Sequence, residues 1–209
     1  MLTLKQKMAL LVTEAESWNS ITEQGGDNSG QLVEMIQKVV DGKAQKEAWC
    51  AAFVWWCLLR TENQIKALNI SEPQSVNLMQ VDGVQVDGVE SGIYRSEWVW
   101  EIWNKTPAIF RTEIPVPGSL IVWLRSDGGK LTTNGHIGIV RGLNPVTGTV
   151  YTVEGNTGPN RLSGVAGASG GVGAGELVER NGDGVYLKER LSIATGDMQV
   201  QGFLNPWLD

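Results

Sequence analysis

Apolar residues at Leu4, Met8, Leu11, Val12 and Ala15 recur at helical spacing and predict a helix from Leu4 to Trp18. A Gly-rich turn at Gly25 to Gly30 leads into a second helix from Gln31 to Val40. Glu47 to Arg60 is an apolar run without Gly or Pro, too long for an ordinary strand, and predicts a buried helix with Cys50 in its first turn. Glu97 to Asn104 predicts a shorter helix that stops before Pro107. From Pro117 onward the period falls to two, with strands expected at Ser119 to Leu124, His136 to Gly142, Thr149 to Glu154, Glu176 to Glu179 and Tyr186 to Ile193. Helices followed by strands is the order of an α+β domain. Ser71 to Ser91 carries Val81-Asp82-Gly83-Val84 and its near copy Val86-Asp87-Gly88-Val89, too short a repeat for a solenoid and read as an inserted loop or hairpin. Gly155 to Gly175 has no periodicity and is either a mobile cleft wall or a surface loop. No second domain or binding repeat stands out, so residues 1–209 read as one domain.

The composition, 42% hydrophobic and 19% charged, is that of an ordinary globular chain and adds nothing to this picture. The net charge does: −6, with no basic block, argues against nucleic acid and against simple adhesion to an anionic envelope. No run is long enough to span a membrane, and Met8 to Val12 is too short for a signal sequence before Thr13 and Glu14. Synthesis in a cytoplasm is the expectation. One histidine and two cysteines seven positions apart make no zinc cluster, and no metal or other cofactor is expected. Cys50 and Cys57 on one helix would stand about 10 Å apart along its axis, too far for a disulfide, so both thiols should be free. Gly167-Ala168-Ser169-Gly170-Gly171 matches a serine-hydrolase elbow only in letters, since no strand precedes it. Glu179-Arg180-Asn181-Gly182-Asp183-Gly184 looks like the start of a calcium loop, yet its twelfth position is Arg190 where an acid is needed, and a hairpin turn fits better.

Chemistry concentrates on few residues. A cysteine in the first turn of a helix meets unpaired N–H groups and the positive end of the helix dipole, which favour the reactive thiolate; the alternative for Cys50 is a small core hydrophobe. His136, the single histidine, lies in Asn134-Gly135-His136-Ile137-Gly138-Ile139-Val140-Arg141, where Ile137 and Ile139 face one side of a strand and His136 and Gly138 the other. If a cysteine nucleophile works here, its base has one candidate. Along Val150 to Gly158 the same alternation puts Thr152, Glu154 and Asn156 on one face, a carboxylate and an amide that could orient an imidazole. Most of the nine tryptophans are expected in the core, but Trp49, beside the cysteine, is expected to line a substrate cleft.

The order Trp49-Cys50-Ala51-Ala52-Phe53-Val54, Pro117-Gly118-Ser119-Leu120-Ile121-Val122-Trp123, Gly135-His136-Ile137-Gly138-Ile139-Val140, Val153-Glu154-Gly155-Asn156-Thr157 resembles a CHAP domain. These are the cysteine, histidine-dependent amidohydrolases and peptidases of bacterial cell-wall turnover and phage lysis. Glu23 to Gly30, followed by helical Gln31 to Val40, resembles the segment ahead of the cysteine helix, so the likeness runs from roughly the first helix to Asn156, with a weaker echo at Gly202 to Trp207; the core of the domain is expected at about 20–160, with C-terminal strands to 209. It implies a papain-like α+β fold, helices packed on a twisted antiparallel sheet, with the nucleophile at a helix N-terminus. It also implies Cys50 as nucleophile, His136 as base and then acid, Glu154 and Asn156 as orienting groups, and peptidoglycan as substrate. The aspartate-rich calcium loop of some members is replaced by Gly42-Lys43-Ala44-Gln45-Lys46-Glu47, so no calcium is expected. A wall hydrolase without its own export signal needs a holin, a secretion machine, a virion or lysis to reach its target. The same residues also suit an acyltransferase, and the same fold a noncatalytic phage tail or wall-binding component.

Overall fold

A computed structural model describes residues 2–69, 91–158, 183–191 and 197–208. Among the described residues four α-helices, α1 (Leu4–Glu16), α2 (Gln31–Asp41), α3 (Cys50–Asn69) and α4 (Val99–Lys105), form where the sequence predicts helices. Local signals set their ends. Thr3 and Gln6 cap α1 reciprocally, and Gly42, in the left-handed region at φ 86°, closes α2. Helix α3 outruns the apolar stretch by continuing past Arg60, because Thr61, Glu62 and Ile65 are still buried.

Six strands, β1 (Arg111–Thr112), β2 (Leu120–Asp127), β3 (Lys130–Asn144), β4 (Thr149–Thr157), β5 (Gly184–Leu191) and β6 (Met198–Leu204), form one sheet in the order β1-β6-β2-β3-β4-β5. Every neighbouring pair is antiparallel. The fold is thus α+β, helices first. Two strands were not anticipated, β1 and β6, and β6 lies inside the sheet against β2. Its alternation is hidden by a bulge: Val122 faces Gly202 but Trp123 faces Val200, so Gln201 is an extra residue that flips the phase between Val200 and Phe203. The repeat at Val81 to Val89, the stretch Gly167 to Gly171, the expected strand Glu176 to Glu179 and most of Gly155 to Gly175 lie outside the described residues. So does all of Glu179 to Gly184 but its last two positions. Among the described residues no helix is long and apolar enough to cross a membrane.

The sheet divides the interior by strand alternation. Leu120, Val122, Leu124, Ile137, Ile139 and Val153 join the helices in the main core. Ile121, Trp123, Val140, Val150 and Phe203, the alternate residues, build a second apolar cluster. His136, Thr152 and Glu154 share the parity of the second set. Helix α3 packs on the first face so closely that a Cβ added to Gly155 would stand 2.6 Å from Phe53 Cβ. Gly155→Ala should therefore force α3 off β4 and cost about 1–3 kcal/mol, the usual scale of overpacking, read as a lower urea midpoint at unchanged slope. An unchanged midpoint would mean that α3 sits more loosely on β4 than this contact requires.

Candidate active site

Two loops and a polar side chain bring Cys50 to its position. Gln37 on α2 is fully buried and its Nε2 donates to the Glu47 carbonyl at 2.7 Å and the Asn28 carbonyl at 3.3 Å, tying the turn before α2 to the segment just ahead of Cys50. Cys50 then opens α3, 6% exposed, where helix geometry leaves the first N–H groups without partners in the helix. The backbone N–H groups of Ala51 and Ile137 favour its thiolate. Ile137 is free to do so because β3 pairs with β4 only from Ile139 to Asn144, leaving that flank of β3 open beside the helix terminus.

His136 reaches the same spot from the other face. It lies opposite Trp123 on β2, and the two rings stack with centroids 5.7 Å apart and planes 29° off parallel. Its Nε2 is 2.9 Å from Glu154 Oε2, which leaves the other ring nitrogen available to Cys50, the second partner of the imidazole. Glu154 has no exposed side-chain surface. Its carboxylate accepts from Thr152 Oγ1 at 2.5 Å and from Arg190 at two points, Nε to Oε1 at 2.9 Å and Nη2 to Oε2 at 2.5 Å. Gly138 is what lets this carboxylate cross to the imidazole: a Cβ there would stand 2.7 Å from Glu154 Cγ.

The electrostatics follow from these contacts. Burial pushes the Cys50 thiol up, but the His136 hydrogen bond and charge, with the N–H groups of Ile137 and Ala51, outweigh it and leave the thiol below its ordinary value. Burial pushes His136 down, but bonds to Cys50 and Glu154 and their charges raise it to about 9. Burial would raise Glu154 too, yet Arg190 and His136 hold its carboxyl far below the usual carboxylate range. Cys57, one helical stretch away, has no such partner; burial and then the Glu14 charge drive it well above its ordinary value. Both thiols are free.

Cys50, His136 and Glu154, singled out in the sequence, thus interact in one line, sulfur with imidazole and imidazole with carboxylate. Residues 41–156, a stretch of 116 residues that includes all three and more than half of the chain, match the CHAP domain family model. The chain belongs to the CHAP domain family. Members of this family are hydrolases of the peptidoglycan amidase and peptidase type. No curated protein and no solved structure matches the chain significantly.

Two expectations about this CHAP site need correcting. Trp49 does not line a cleft: it is fully buried, its Nε1 donates to Glu23 Oε1 at 2.8 Å, and its ring meets Phe53 edge-on. A large apolar body with one polar handle is better served by the core and a buried acceptor. Asn156 does not orient His136: its Nδ2 donates to Asn28 Oδ1 at 2.6 Å, fastening the Gly25 to Gly30 turn to the end of β4. The alternation that would have aligned it with Glu154 is broken by a register shift between Glu154 and Thr157, with Asn156 itself at φ 55°. Sequence reasoning missed Arg190 and the stacking role of Trp123. Arg190 follows Lys188 and Tyr186 at period two on β5, a signal of facing but not of partner.

The opposed thiol shifts give a direct check. Iodoacetamide at about pH 6 should label Cys50 in the folded protein much faster than Cys57, because only the thiolate reacts. Equal slow labelling of both sulfurs, by mass spectrometry of tryptic peptides, would mean that His136 does not activate Cys50.

Proposed function

We propose that this CHAP domain cleaves an amide bond of the peptidoglycan peptide, either the sugar-to-peptide link or a bond of the stem or cross-bridge, through a thioester on Cys50. The observation that carries the proposal is the buried chain from Cys50 through His136 to Glu154, in which sulfur and imidazole each shift the other toward its charged form. A papain-like arrangement, nucleophile on a helix and base on a strand, is part of the same reading.

The thiolate of Cys50 attacks the substrate carbonyl, forming the C–S bond and pushing the carbonyl electrons onto oxygen. The backbone N–H of Cys50, at a helix start, is suited to receive that oxyanion. The oxyanion then re-forms the carbonyl, the C–N bond breaks, and His136 delivers its proton to the departing amine. The amine leaves. Water, deprotonated by His136, attacks the thioester; the C–S bond breaks, the thiolate returns and the imidazole is again protonated. Glu154 stays a carboxylate throughout, holding the ring by Nε2 and stabilising its charged form. Asn156 contributes through the turn it fastens.

Cys50→Ala and His136→Ala should each abolish release of new termini from purified muropeptides, scored by mass spectrometry, while melting temperatures stay close to wild type. Glu154→Gln should lower kcat by a smaller factor, on the order of 10- to 100-fold, since orientation is shared with Trp123. Intact muropeptides after prolonged incubation with the wild-type protein would overturn the substrate; the identity of the new termini decides the bond.

The pH dependence carries a sign. The working pair is formed as Cys50 loses its proton, at a pH lowered by His136, and it is lost as His136 deprotonates, at about 9. kcat/KM should therefore rise on the acid side and fall on the alkaline side near 9, as macroscopic values of the coupled pair. A rate still climbing well above that pH would show that no imidazolium is required.

A further inference from the structure

Arg190 makes and breaks no bond in that sequence, and it lies beyond the residues that match the family model. Yet it grips Glu154 at both oxygens, and its guanidinium lies 5.6 Å from the centroid of the Trp123 ring, which in turn stacks on His136. Arg190, Trp123, His136 and Glu154 thereby close a ring of contacts around the imidazole. The Arg190 side chain is only 16% exposed, so its charge is poorly screened, and a guanidinium does not deprotonate in proteins.

We infer that Arg190 is a positioning residue whose fixed charge completes an alternating chain of Cys50 thiolate, His136 imidazolium, Glu154 carboxylate and Arg190 guanidinium, and so sets the pH at which the sulfur ionises. The inference rests on the Cys50–His136 pairing proposed above, but not on the substrate. With Arg190 the buried unit holds two anions and two cations. Without it one negative charge is in surplus, and a surplus negative charge disfavours every further ionisation to an anion nearby. Glu154 can relieve that surplus only by taking up a proton, which weakens its hold on the imidazolium. Removing the cation therefore moves the sulfur's ionisation upward and never downward.

The other groups around the chain do not replace it. Helix α3 contributes Cys50, β2 the neutral Trp123, β3 His136, and β4 the Thr152 hydroxyl beside Glu154. On β5, Tyr186 stands opposite Glu154 in register and Asp183 precedes the strand. Lys188 feels the charges of Arg190, Glu154 and Asp183, but its ammonium donates to the Gly158 carbonyl at 2.8 Å, and the ion pairs of Glu154 among the described residues are with His136 and Arg190.

Iodoacetamide labelling of Cys50 across the pH range tests this without any substrate. Arg190→Gln should shift the labelling midpoint upward and slow labelling at about pH 6 by at least about threefold. Arg190→Lys, which keeps the charge, should hold the wild-type midpoint, and the Glu154→Gln, Arg190→Gln double variant, again neutral, should return toward it. A folded Arg190→Gln with the wild-type midpoint overturns the inference, as does an Arg190→Lys midpoint raised as far as that of Arg190→Gln. Should Arg190→Gln fail to fold, carbon-13 NMR of glutamate-labelled wild-type protein decides: a Glu154 carboxyl titrating at its ordinary value of about 4.3 is fatal. Wild-type protein that labels rapidly at Cys50 but leaves muropeptides intact refutes the proposed substrate alone; wild-type Cys50 no faster than Cys57 refutes the pairing and this inference together.

Discussion

The structure around Cys50 depends on one constraint: Glu154 is a carboxylate with no exposed side-chain surface. An isolated charge in that position would cost several kcal/mol and would take up a proton instead. It remains ionised because each oxygen is engaged, Oε1 by Thr152 and Arg190, Oε2 by His136 and Arg190. The carboxylate in turn fixes which nitrogen of His136 is occupied, and hence which one meets the sulfur. Remove the satisfied carboxylate and nothing dictates the tautomer. The neighbouring features read as conditions for it: Gly138 leaves room for its Cγ, the flank of β3 opens beyond Ile139, and Trp123 covers one face of the imidazole.

That constraint also explains why the site lies where two faces of a sheet meet. Helix α3 belongs to the main core, while His136 and Glu154 project with the second apolar cluster. A continuous β3–β4 ladder would wall them apart. The ladder stops at Ile139 and Val153, and the N–H of Ile137, not paired with β4, is left to favour the Cys50 thiolate. The bulge after Glu154 has a second effect, since it ends the alternation and hands Asn156 to the Gly25 to Gly30 turn. One register shift separates a carboxylate that serves the imidazole from an amide that serves a loop.

Much of this was legible in the sequence, and the boundary of legibility is physical. Helix positions came from apolar periodicity, and Cys50 in a first helical turn came from the length of the run from Glu47 to Arg60. The facing of His136 within its strand and of Glu154 within its own came from period two, which holds as long as a strand has no bulge. Where bulges occur the reading failed: Gln201 concealed β6, and the shift beyond Glu154 misplaced Asn156. Trp49 was misread for another reason, because adjacency in sequence to Cys50 says nothing about direction, and its indole turns inward to Glu23. Arg190 was invisible as a partner because its contact with Glu154 spans 36 positions and joins strands whose pairing the sequence does not declare.

The same charges bear on how an imidazole can hold its proton firmly and still give it up. Part of what raises His136 to about 9 is the sulfur, through a hydrogen bond and an opposite charge; the rest is Glu154. In the proposed reaction the first part disappears when the thiolate is consumed, because the negative charge moves to the substrate oxygen and toward the helix N–H groups. The proton affinity of His136 then falls at the step in which the amine needs a proton. The second part persists, held by Arg190, so the ring keeps its orientation through the fall. A site with only a thiolate partner would release the proton but lose the ring's alignment; a site with only a carboxylate partner would align the ring and hold the proton throughout. Two anionic partners, one transient and one permanent, separate those tasks.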